Sequence, residues 1–103
     1  MKLKPYKTKL SRQMLESLHS LIELLLASQV NDDDDKMHFA VLAEIKHRLY
    51  QKLDSVQNEY HASFTPAQAF ALRILALNYA TDIKTYTGNR LHQIANEVHK
   101  QYQ

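Results

Sequence analysis

Histidines and carboxylates are the residues in this chain best suited to chemistry: it holds six His and eleven Asp or Glu. Glu16-x-x-His19 and Glu44-x-x-His47 repeat the spacing with which helices of a di-iron bundle present one carboxylate and one imidazole. Such ligands must point into the bundle. On a helical wheel, Glu16 falls about 150° from the centre of its apolar face and His47 about 180° from that of the next helix, so both pairs are expected to face water. The other two helices would have to add carboxylates and offer only Asp82 and Glu97. His92, Asn96 and His99 form a polar stripe, but its two imidazoles are two turns apart, roughly 10 Å, too far to share one ion. A calcium loop beginning at Asp33, with Asp35 third and Glu44 twelfth, fails because Met37 stands where an oxygen ligand belongs and His38 where the turn needs Gly. A metal-binding bundle is therefore the last of three functional readings, and no metal or cofactor is expected.

With no Cys, the chain has no disulfide, thiolate metal site or Cys nucleophile. With one Gly it has no Gly-rich phosphate loop, dinucleotide fingerprint or nucleophile elbow. The residues point away from an enzyme and towards a cytoplasmic protein. The longest uncharged apolar stretch before the acidic run is Leu24 to Val30, far short of the roughly 20 residues that span a bilayer, and no export signal or membrane segment is expected.

Charge is uneven. Lys2, Lys4, Lys7, Lys9 and Arg12 give +5 before the first acid, Glu16, while the remainder holds eight basic against eleven acidic residues, or −3. A flexible arm over residues 1–10 could set these cations on phosphates and stack Tyr6 on a base, which defines the second reading, a nucleic-acid-associated accessory protein. The bland alternative is a solvated tail. A helix-turn-helix is disfavoured because the third helix is too long and Glu97 sits among the outward Arg90, Gln93, Asn96 and Lys100.

Positioning these residues falls to helices. One Gly and two Pro in 103 residues leave few turns, and the apolar spacing predicts helices over about 11–29, 33–58, 66–86 and 89–102. Ser11 is a candidate N-cap, and Thr65-Pro66-Ala67-Gln68 spells a capping box with Pro at the first helical position. In the second helix, His38, Val41, Leu42, Ile45, Leu49, Leu53 and Val56 form one stripe. Gly88 is expected to end the third helix and Asn89 to cap the fourth. The expected fold is an all-α, antiparallel up-down four-helix bundle of residues 11–103 with a short extended basic arm, and no internal repeat is evident.

The third helix is apolar nearly all round, with Arg73 alone charged between Ala69 and Ala80. Such a helix must be covered all round. It is expected to be central, so that Leu77→Asp unfolds the chain, and to turn Leu72, Ala76, Tyr79 and Ile83 towards a second chain. The leading reading is accordingly a non-enzymatic interaction or assembly module that self-associates, a dimer being favoured, or that docks on another protein.

Overall fold

A computed structural model describes residues 3–27, 33–79 and 86–103. Two segments are strands, β1 (Tyr6–Ser11) and β2 (Glu59–Phe64), and four are helices: α1 (Arg12–Leu26), α2 (Asp33–Leu53), α3 (Pro66–Tyr79) and α4 (Tyr86–Gln101). The protein is mostly helical, but it is not the expected all-α up-down four-helix bundle: β1 and β2 pair in a two-stranded sheet. Tyr6 lies beside Phe64 and Lys9 reaches Glu59, so the strands run antiparallel.

Both strands follow from period-2 alternation. In β1, Tyr6 and Leu10 are buried and Lys7 and Lys9 exposed; in β2, Tyr60, Ala62 and Phe64 are buried and Glu59, His61 and Ser63 exposed. One apolar face and one polar face suit a sheet packed on one side only. Lys7 and Lys9 of the expected arm are thus the outward residues of an ordered strand.

The element order is strand, helix, helix, twice over. Few identities announce this, yet corresponding positions match in role. Ser11 Oγ accepts from the Met14 amide at 3.1 Å, and Thr65 Oγ1 accepts from the Gln68 amide at 3.2 Å. Ahead of these caps stand the buried pairs Tyr6 with Leu10 and Tyr60 with Phe64. Behind them, Leu18 and Leu72 are fully buried at matching turns of α1 and α3.

The chain forms two compact units. The first, Lys9–Tyr60, packs α1 on α2. Its core is Met14, Leu15, Leu18 and Ile22 from α1 with Leu42, Ile45 and Leu49 from α2. Arg12 closes this unit. Its guanidinium donates to Tyr60 Oη at 2.7 Å, to the Ser55 carbonyl at 3.3 Å and to the Leu53 carbonyl at 3.4 Å, and its Nε meets Glu16 at 3.0 Å. Tyr60 Oη in turn donates to the Ser55 carbonyl at 2.6 Å and accepts from the Gln57 amide at 3.2 Å, so its bonding capacity is filled. A cation on the last carbonyls of a helix stabilises its end, and α2 stops at Leu53 rather than near 58. Val56, expected in the buried stripe, is 90% exposed.

The second unit, Met1–Thr8 with His61–Gln103, packs α3 on α4. Ala69, Leu72, Leu75 and Ala76 of α3 and Leu91, Ile94, Ala95 and Val98 of α4 form its core. The capping box holds: the Thr65 amide donates to Gln68 Oε1 at 3.1 Å as Gln68 returns the bond. Gly88 does not end a helix. It lies buried in the first turn of α4, which begins at Tyr86 rather than at Asn89, and no described glycine has positive φ. The end of α4 is fastened to the chain before β1, where Gln101 Nε2 donates to the Lys4 and Pro5 carbonyls at 3.3 and 3.0 Å and Tyr102 Oη to the Lys4 carbonyl at 2.5 Å.

Candidate functional site

Helix α3 turns two kinds of apolar side chain in opposite directions. Ala69, Leu72, Leu75 and Ala76 point into the core, while Phe70, Ile74 and Leu77, at i, i+4 and i+7, form an outward row with exposures of 41%, 44% and 57%. Tyr102 lies against Phe70 with ring centroids 5.1 Å apart, extending the row towards the end of α4. Single exposed apolar residues are ordinary, whereas a continuous row on one helix marks a surface that another surface covers.

This row differs from the one expected. Leu72 and Ala76 are fully buried, Tyr79 is the last residue of α3, and Ile83 lies outside the described residues. An all-apolar helix gives no phase from which a sequence wheel can tell inward from outward. The expected covering on every side is overturned too, since Leu77 is more than half exposed.

Strand β1 carries the second feature. Lys7 points outward, Lys4 ahead of the strand is exposed, and Arg90 donates to Thr8 Oγ1 at 2.6 Å. Tyr6 faces the other way: it is 2% exposed, its ring stacks near Phe64 at 6.3 Å, and its hydroxyl donates to Glu97 Oε1. Burial foremost, and then the bond to Glu97, raise the Tyr6 hydroxyl to a pKa of about 12. Glu97 also stands 3.5 Å from Arg90. Of the expected polyanion residues, Lys4 and Lys7 stay at the surface, while Lys9 pairs with Glu59 at 3.8 Å. Arg12 is engaged at the end of α2, Tyr6 is withdrawn from any base, and Lys2 lies outside the described residues.

Between α1 and α2 a third feature opens, an open groove of about 360 Å³ lined by His19, Glu23, Leu26, Ala43, Lys46, His47 and Tyr50. Lys46 bridges to Glu23 at 3.8 Å, and His19 tilts against Tyr50 with ring centroids 6.0 Å apart. His19 and His47, the imidazoles of the two Glu-x-x-His repeats, both line this open groove, with His47 exposed to water and His19 half-buried. Glu16 is taken by Arg12 and Glu44 is exposed. Among the described residues, no three His, Asp or Glu side chains converge as a metal site would need.

Among the described residues, no helix is long and apolar enough to cross a membrane. Comparison with protein-family models, with curated proteins and with solved structures finds no match to this chain.

Proposed function

We propose that this protein is a non-enzymatic interaction module of the cytoplasm that self-associates, a dimer being the favoured form, through the outward row of α3. The observation that carries the reading is the row itself: Phe70, Ile74 and Leu77, three large apolar side chains at helical spacing, are partly exposed on a helix whose other side is already fully buried. Burying such a row releases ordered water and gains roughly 25 cal/mol for each Å² of apolar surface removed. A symmetric dimer supplies the same row from the second copy, so one helix face meets itself. The cytoplasm suits a chain without cysteine, which needs no oxidising compartment.

The test is the solution molar mass of the wild type against Ile74→Asp. A charge at the middle of the row removes self-association and leaves the fold intact, because Ile74 is 44% exposed and its truncation opens no core cavity. A variant that still self-associates as the wild type does would remove α3 from the interface.

A further inference from the structure

We infer that the α3 dimer proposed above, on which this inference rests, holds one free tetrahedral oxyanion, phosphate or sulfate, between the Arg73 side chains of its two copies. Self-association is thereby tied to the anion. The site is incomplete in one chain and needs the second copy to close it.

The starting point is the one charge on α3. At about 100° per residue, Phe70, Ile74 and Leu77 centre the outward side, and Arg73 falls about 60° from Phe70, at the edge of the row. Along the axis it is level with Ile74, the middle of the row, and its side chain is half-buried. When two copies of the row meet about a two-fold axis with the helices antiparallel, each edge lies beside the same edge of the other copy. Arg73 therefore faces Arg73. The antiparallel sense also sets the positive end of one helix dipole beside the negative end of the other.

Nothing described in the same unit neutralises this pair. Arg73 has no ion pair among the described residues, and the unit's described carboxylate, Glu97, is engaged by Tyr6 and Arg90. The unit of Met1–Thr8 and His61–Gln103 holds seven basic residues against two acidic, so a second copy adds like charge to like. An oxyanion between the two guanidinium groups reverses the repulsion. Each planar fork takes two oxygens of a phosphate or sulfate, which a halide cannot offer. The flanking Phe70, Ile74 and Leu77 exclude water as the faces close and strengthen both contacts.

The experiment is sedimentation equilibrium of the full chain at neutral pH in sodium chloride, with and without inorganic phosphate at matched ionic strength. Two guanidinium forks on one anion give an affinity on the order of 1 mM, so about 10 mM phosphate raises the wild-type dimerisation constant about ten-fold. Arg73→Gln removes the repulsion and the site together. In chloride it dimerises about three-fold more tightly than the wild type, the factor for two unit charges about 6 Å apart in a water-like dielectric, and phosphate leaves it unchanged. Circular dichroism verifies that the variant is folded. A wild type that dimerises equally in both buffers overturns the anion site and leaves the dimer standing. So does an Arg73→Gln variant that gains as much from phosphate as the wild type, which marks general salting-out. Wild type and variant both monomeric in both buffers remove the dimer itself and the site with it.

Discussion

Replacing Tyr6 by Phe removes one oxygen and leaves the ring stacked near Phe64, so the variant isolates the bond from the Tyr6 hydroxyl to Glu97. Glu97 keeps Arg90 at 3.5 Å, so no carboxylate is stranded, and at neutral pH the loss is that of one hydrogen bond to a charged group, about 1.5 kcal/mol. The decisive feature is how this loss depends on pH. An unfolded tyrosine ionises near pH 10, whereas Tyr6 in the fold ionises at about 12. A group whose folded pKa is raised contributes stability that is fully present below the unfolded value and is lost as pH rises through the folded one. Two pKa units correspond to about 2.7 kcal/mol, and because the partner carboxylate of Glu97 is half-exposed to water about half of that is the expected amount. Urea unfolding followed by circular dichroism at pH 8, 10, 11 and 12 measures it. The wild type exceeds Tyr6→Phe by about 1.5 kcal/mol at pH 8, and the two converge by pH 12. A difference that stays constant from pH 8 to 12 would refute the assignment of the raised ionisation to Tyr6.

Other perturbations read the fold at separate places. Thr65→Ala removes the cap of α3 and costs about 1 kcal/mol, read as a lowered urea midpoint at unchanged slope. Leu75→Asp unfolds the chain, because Leu75 is fully buried and a carboxylate there has no partner, whereas Leu77→Asp, at a half-exposed position, keeps the native circular dichroism spectrum. Arg12→Ala frees the Leu53 and Ser55 carbonyls from their cation, costs about 1.5 kcal/mol, and speeds amide hydrogen exchange in the last turn of α2. Arg12→Lys recovers only part of this, since an ammonium lacks the planar fork.

Helices were legible in the sequence wherever their faces were two-sided. The spacing of Met14, Leu15, Leu18 and Ile22 and of Leu91, Ile94, Ala95 and Val98 marks the buried sides of α1 and α4, and Thr65 to Gln68 marks the start of α3. The strands were legible too, but competing signals masked them. Tyr6-Lys7-Thr8-Lys9-Leu10 alternates as a half-buried strand should, yet Pro5 and the density of lysine suggested a solvated arm. Glu59 to Phe64 alternates likewise, and the apolar stripe of α2, carried on to Val56, drew the helix over the turn that Arg12 and Tyr60 hold. The outward row of α3 could not be phased from sequence, because neither side is polar; only packing against α4 decides that Leu72 and Ala76 go in and Phe70, Ile74 and Leu77 stay out. That His19 and His47 line one groove depends on how α1 lies against α2, which no single-helix wheel contains.

Light scattering on a sizing column, with the loaded protein varied over a tenfold range of concentration, tests the central claim most directly. Self-association through α3 predicts a wild-type molar mass that rises towards twice the 12.0 kDa of one chain, while Ile74→Asp stays at 12.0 kDa throughout. A wild type that remains at 12.0 kDa across the whole range would contradict it.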